Sequence, residues 1–370
     1  MRLRPGLRVL WRRKGESQVG VDPRCAVVLE NLTPGEQNVL DYLRHDPTEA
    51  DLVRVGRTSG VPVARVRELV TLLERSGVLD PAPRTRPPGS AESPDEAYWS
   101  RLLPDGDGAG LMARRASATV AVVGLGQVGM RIATHLAEAG IGTILLEDDS
   151  AVRERDVGPY HPRDVGGRRR ERSEAQLRSL FPQLRTDAPT GTRPDVVVAV
   201  SAGVADPVKL LPLLREDVVH LPVVAGDVDV AVGPLVVPGR SPCTRCLDLH
   251  RTDADPAWPA LATQLRASPS PPVSSHLAQL GSAVAANQVL AQVDGRELVA
   301  DGTSIEVGGL SPLPLVRPWT VHPACGCSGV GQEDIARPQP APSRPGAAGA
   351  SSTEREPSTE ERELAAIGTS

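Results

Sequence analysis

Between Thr119 and Asp149 an apolar run gives way to a helical spacing and then to a second apolar run. Val120–Val123 reads as a buried strand, Ile132, Leu136 and Ala139 share one face of a helix stopped at Gly140, and Thr143–Leu146 reads as a second strand closed by acids. This order predicts a complete βαβ unit. Downstream, Asp195–Val200 is a further strand, and Ser274–Val293 reads as an amphipathic helix with Leu277, Leu280 and Val284 in register for a core. The fold class expected is α/β, a Rossmann-like doubly wound sheet.

The first eighty residues carry shorter patterns. Leu7–Trp11, Ser17–Val21 and Cys25–Leu29 suit three strands. Thr33-Pro34-Gly35-Glu36 combines a capping box with proline at the first helical position, so a helix should span Pro34–Arg44. Thr48 caps a second helix. Pro62–Ser76 places Val63, Val66, Val70 and Leu73 on one face before a stop at Gly77. A small sheet with three short helices predicts a winged-helix module over residues 1–83. Residues 84–118 are expected to be linker, 119–330 the large domain, and 331–370, rich in proline, alanine, serine and glutamate without periodicity, a disordered tail.

Composition narrows the class. The chain has 370 residues, 40% of them hydrophobic, enough for a large domain and a smaller companion. Its net charge of −5 gives no global pull toward nucleic acid or membrane, although the first eighty residues are rich in arginine. MRLRPGLRVLWRRKG lacks the apolar core of a signal peptide and no run approaches membrane-spanning length, so a cytoplasmic location is expected. Lysine occurs only at Lys14 and Lys209, which reads as a compositional bias toward arginine.

Two sets of residues carry chemistry. In Gly124-x-Gly126-x-x-Gly129, the first glycine permits a tight turn, the second lets backbone approach a phosphate, and the third lets helix and strand pack closely. Asp148, ending the second strand, is placed to accept hydrogen bonds from a ribose. Separately, Cys243-x-x-Cys246 and Cys325-x-Cys327 offer four thiolates in two tight clusters, which suits one tetrahedral structural zinc with no open position for catalytic water. His322 is within reach as a competing ligand but reads as a loop histidine. Cys25 reads as a buried strand residue, and Tyr160, His161 and His220 have no evident catalytic partner at short range.

Taken together, the glycine unit, Asp164-Val165-Gly166, Asp195–Val200, the segment Gly233-Pro234-Leu235-Val236-Val237-Pro238-Gly239 before Cys243, and the closing Cys-x-Cys resemble the ThiF/MoeB superfamily, related to ubiquitin-activating enzymes, over residues 119–328. The resemblance implies ATP-Mg binding, adenylation of the C-terminal carboxylate of a small ubiquitin-like carrier protein, paired-cysteine zinc and a homodimer. It also implies a phosphate-binding role for Arg169, which stands where the family has lysine. The family's Asp-x-Asp-x-Val-x-x-Ser-Asn-Leu-x-Arg-Gln, anchored on Val152, keeps the ribose acid at Asp148. It has Ser150 for the second acid, Asp156 for asparagine, Pro159 for arginine and Tyr160 for glutamine. The magnesium-binding acid falls on Ala202, with Asp206 four residues late. Losing two charged positions removes transition-state stabilisation, so no catalytic residue is assigned and an adenylation-deficient protein is expected. Arg101 resembles the arginine that the family supplies across its dimer.

A winged-helix module ahead of such a domain also resembles the leader-peptide-binding partner proteins of ribosomal peptide modification, which present a precursor to a YcaO-type enzyme. That resemblance implies a peptide added as a strand beside the third helix. Three alternatives stay open: an active ATP-dependent adenylyltransferase, a regulator binding DNA through Arg65, Arg67 and Arg75 of the third helix, and an NAD-dependent dehydrogenase.

Overall fold

Two apolar clusters organise the chain, one from the first eighty residues and one around the sheet that follows. The computed structural model describes residues 1–80, 93–268 and 272–328. The expected disordered tail, 331–370, lies outside the described residues, as do 81–92.

The N-terminal strands β1 (Val9–Arg13), β2 (Glu16–Val19) and β3 (Val27–Leu29) form an antiparallel sheet in that order. At α1 (Pro34–Asp41) the capping box closes in both directions. Thr33 Oγ1 accepts from the Glu36 N–H at 3.3 Å, and Glu36 accepts from the Thr33 N–H at 2.6 Å. The α-helix ends three residues before the expected Arg44 because the chain tightens into a 3-10 turn over Tyr42–His45. A second capping box, Thr48 with Asp51, starts α2 (Glu49–Thr58), and α3 (Val63–Arg75) buries Val66, Leu69, Val70 and Leu73. The helix packed on the sheet is α1, whereas α3 packs on α2. Gln37 explains this placement: its Nε2 donates to the carbonyls of Arg13 and Glu16, and its Oε1 accepts from the Gly15 N–H, which fastens α1 to the β1–β2 turn.

Residues 84–118 were expected as linker, yet α4 (Pro94–Leu102) and α5 (Gly108–Ser117) occupy much of that span. Their anchorage is ionic and aromatic, which a search for apolar periodicity misses. The buried Arg115 makes a bidentate pair with Asp294 at 2.9 and 2.8 Å, and Trp99 stacks against both Arg115 and Arg296.

The large domain continues through β4 (Thr119–Val123), α6 (Gln127–Glu138), β5 (Thr143–Glu147), α7 (Arg169–Leu180), β6 (Val196–Ala202), α8 (Pro207–Arg215) and β7 (His220–Ala225). There follow β8 (Asp229–Val232), α9 (Thr244–Ala254), α10 (Trp258–Ala267), α11 (Ser275–Asp294), β9 (Thr303–Gly308) and β10 (Leu315–Pro318). One seven-stranded sheet runs β10-β9-β8-β7-β6-β4-β5, parallel from β5 to β7 and antiparallel from β7 to β10. This is the expected Rossmann-like α/β fold with an antiparallel extension. Strand alternation divides its two faces: Val196 and Val198 enter the main core, while Ala199 packs on the other side with Leu210 of α8.

Helix α11 crosses the main core against α6, and Gly281 lets it close on Val230, where a Cβ would meet Val230 side-chain atoms at 2.6 Å. Leu277 is buried as expected, but Leu280 is 43% exposed. The packed stripe runs through Leu277, Ala278, Gly281, Ala285 and Val289, because small residues permit the closer approach.

Candidate functional site

Because β5 and β6 lie on opposite sides of β4, the chain leaves a crevice at the C-terminal ends of these strands, the usual ligand position in such sheets. The crevice is a cleft of about 460 Å³. The three glycines divide the labour there. Gly124 has φ of +91°, and a Cβ on it would meet the Val200 carbonyl at 2.5 Å. A Cβ on Gly129 would meet the Gly124 carbonyl at 1.9 Å, so this residue permits helix and loop to touch. A Cβ on Gly126 would meet nothing nearer than the Arg169 guanidinium at 3.9 Å; this glycine leaves room in the cleft rather than relieving the fold. It is also the N-cap of α6 and supplies no side-chain cap, so the helix presents its N–H groups and positive dipole end toward the cleft.

Asp148 and Arg169 meet here, as the sequence placed them on a common site. One Asp148 oxygen accepts from the Leu125 N–H at 2.7 Å and from Arg169 at 3.0 Å. The other accepts from the backbone N–H and the hydroxyl of Ser150, at 2.9 and 2.5 Å. A carboxylate offers about four acceptor positions, and all four are filled by the protein. Burial opposes its ionisation, but the hydrogen bonds from Ser150, Leu125 and Arg169 outweigh it and hold the carboxyl below its usual range. Arg169 also donates to Asp156 at 3.1 and 2.6 Å, so its guanidinium bridges two acids.

The departures from the family pattern lead to different places. Tyr160 is a core pin: its hydroxyl donates to the Leu125 carbonyl at 2.7 Å and meets Ser173 Oγ at 2.8 Å. Burial raises its pKa well above the usual phenol value. Pro159 lies outside the cleft, in a separate groove beside α7, where its carbonyl accepts from Gln176. Ala202 does line the cleft. Arg101 turns toward the N-terminal module and donates to the Pro5 carbonyl at 2.9 Å. Arg155, Ser201 and Lys209 are among the cleft residues that escaped sequence reasoning. Lys209 Nζ donates to the Val200 carbonyl at 3.1 Å, and only the rarity of lysine could have flagged it.

The cysteines form the second constellation. Cys243 is the N-cap of α9 and Cys246 lies in its first turn, so both sit at the positive end of a helix dipole. The sulfurs of Cys243 and Cys246 are 3.9 Å apart, those of Cys243 and Cys325 3.5 Å, and those of Cys246 and Cys327 3.4 Å. Metal–sulfur bonds of about 2.3 Å in a tetrahedron give sulfur–sulfur edges of about 3.8 Å. The four donors therefore fit one tetrahedral ion, and none is at disulfide distance. Burial pushes the Cys325 thiol upward and that of Cys327 to about 11. Cys246 is held low: burial opposes the thiolate, but backbone N–H and neighbouring thiol hydrogen bonds outweigh it.

His250, Asp253 and His322 gather nearby. His322 Nδ1 accepts from the Ala324 N–H at 3.1 Å, which leaves the proton on Nε2 to bond Asp253 at 2.8 Å. That arrangement makes His322 a brace for the Cys325 loop rather than a ligand. His220 is buried within β7 with Nδ1 against the Val218 carbonyl at 2.8 Å, and burial lowers its pKa. Cys25 is half-buried against the N-terminal core.

Residues 101–197 match the ThiF family. No curated protein matches the chain by sequence. Among solved structures, E. coli MccB with ATP is similar with a TM-score of 0.62 at 14% identity, covering 89% of this chain and 99% of that one. The microcin C7 biosynthetic enzyme MccB in complex with N-formylated MccA gives 0.61 at 14% identity, with the same coverage of 89% and 99%. PaaA gives 0.63 at 14% identity, covering 85% of this chain and 98% of that one. At such identity the likeness is one of fold.

Proposed function

We propose that the protein is a zinc- and adenine-nucleotide-binding member of the ThiF superfamily that has lost adenylation and presents a precursor leader peptide to a separate modifying enzyme. The observation that carries the nucleotide reading is the meeting of an uncapped α6 N-terminus, an open Gly126 and the Arg169-held Asp148 in one cleft. Phosphates would lie against the α6 N–H groups and Gly126. The ribose would approach Asp148, displacing the Ser150 hydroxyl or Arg169, whose bonds fill its acceptor positions. Ala202 occupies the place where the family resemblance puts its magnesium-binding acid, and no adenylation step is derived through that ion. At the cysteines, by contrast, the donor set fits zinc, held by Cys243, Cys246, Cys325 and Cys327. The ion would supply cross-linking of the α9 start to the C-terminal loop.

Support for a peptide partner comes from the N-terminal sheet, whose outer strands are each paired on one side, with Trp11 and Leu10 of β1 exposed. MccB, of similar fold, forms a complex with the peptide MccA. DNA binding is disfavoured because Arg65 pairs with Glu36 and Glu68 and Arg67 with Glu49, so two of the three helical arginines are already neutralised. A homodimer and a YcaO-type partner belong to the same reading. ATP–pyrophosphate exchange and anisotropy with leader peptide against duplex DNA test it: nucleotide and peptide binding without exchange is expected. Vigorous exchange would make the protein an active adenylyltransferase, and salt-sensitive DNA binding without peptide binding would make it a regulator.

A further inference from the structure

Strand β6 is reached by a short connection. Arg185 bridges Thr143 in parallel on the outer side of β5, so the chain must pass β5 and β4 before it enters β6 at Val196. Such a crossover usually takes about a dozen residues or more and contains a helix. Here residues 186–195 span it without one, turning where the Thr192 N–H donates to the Pro189 carbonyl at 3.0 Å. The sheet face beneath is left partly bare. Val120 and Val122 enter the main core, whereas Ala121 stands on the opposite face, in register with Leu145 of β5 and Val197 of β6. Helix α8 packs on that face at Ala199, but Ala121, Val123, Leu145 and Val197 floor a groove of about 910 Å³.

Thr186 is 4% exposed and lines this groove, and its hydroxyl has no hydrogen-bond partner among the described residues. A buried hydroxyl left unmet is costly, which favours an occupant that brings it a polar group. Around the rim stand Glu147, Asp149, Asp187 and Glu216, all exposed and without an ion pair or side-chain hydrogen bond among the described residues. The rim's two arginines are engaged, Arg170 by Glu174 at 3.0 Å and Arg193 by the Asp217 carbonyl. We propose that this face docks a basic amphipathic helix of another protein, laid where a crossover helix would lie. Its apolar side would meet the row through Ala121, and its lysines or arginines the four acids. The five residues of β4 run about 17 Å, which a helix of about 11 residues matches. Residues 331–370 of this chain carry seven acids against four arginines, so like charge turns them away.

Fluorescence anisotropy with the full chain tests this docking. The probe is a stapled peptide of about 11 residues with leucine on one side and lysine on the other, since an unstapled helix of that length is marginal in water. It should bind at least about tenfold more tightly than the same peptide with glutamate in place of lysine. Asp187→Lys combined with Glu216→Lys, both exposed and outside the nucleotide cleft, should reverse that preference at an unchanged melting temperature. Thr186→Val should melt no lower than the parent and bind the lysine peptide about threefold more weakly. Glu74→Lys, at an exposed acid of α3, should change nothing. A preference untouched by the paired reversal, or moved as far by Glu74→Lys, would overturn the docking face, as would failure of the lysine peptide to bind. Self-association of the chain that the paired reversal abolishes would give the groove to a second copy and overturn the separate partner.

Discussion

At the cysteine cluster four donor atoms converge from two segments with neighbouring sulfurs 3.4–3.9 Å apart, while at the inner end of the cleft both Asp148 and Asp156 already face Arg169. Four thiolates brought together would need an ion between them; in the second arrangement one guanidinium stands between two carboxylates, so the protein supplies most of the counter-charge itself. The difference teaches where each ligand acts. An ion at the cysteines would contribute to folding, whereas a ligand in the cleft would meet a site that is already built.

The largest test of that contrast is removal of a sulfur. Cys325→Ser should strip the metal and cost several kcal/mol, about 3 or more, because apparent binding energies at structural zinc sites of this type are folding energies. Thermal unfolding beside metal analysis reads this directly, and a variant that melts with the parent would break the contrast. Next, Gly129→Ala should cost about 3 kcal/mol by overpacking, since its Cβ would stand 1.9 Å from the Gly124 carbonyl. A similar loss is expected of Arg169→Met, which strands two carboxylates, and denaturant titration measures both.

Gly126→Ala sharpens the comparison from the other side. Its Cβ has no close neighbour, so stability should move by about 0.5 kcal/mol at most while nucleotide affinity falls about tenfold as the methyl blocks the phosphates. Equal affinity in the two proteins would remove the phosphate from the glycine loop. The smallest effect is in acid. Because the folded-state pKa of Asp148 is lowered, its contribution is fully present above the ordinary aspartate range, about pH 4, and is lost as pH falls through the lowered value. Asp148→Asn should flatten that acid limb in pH-dependent unfolding and leave the neutral region without further pH dependence.

Parts of this were legible in the chain itself. The βαβ unit was, because glycine spacing, apolar runs and the closing acid are local. The cysteines were, because four of five fall in two tight pairs. Helices α4 and α5 were not, since Arg115 reaches Asp294 and Trp99 reaches Arg296 from far along the sequence. Nor was the role of Lys209, which depends on α8 turning back over the end of β6. Arg169 was found by alignment to a phosphate-binding lysine, yet its two carboxylate partners appear only when β5 and the residues after it fold against α7. Leu280 misled because a helix rich in alanine and glycine packs by its small residues.

The join between the N-terminal module and the rest of the protein has a mechanical consequence. Arg4 is buried and donates to the carbonyls of Leu103 and Pro104 at 2.6 and 2.7 Å, while Arg101 reaches back the opposite way to Pro5. Two latches crossing in opposite senses resist both sliding and swivelling. A peptide gripped at β1 would then be held like work in a bench vice, at a constant offset from the cleft. Its reach along its own length, and not a hinge in its holder, would decide which of its residues comes under the tool.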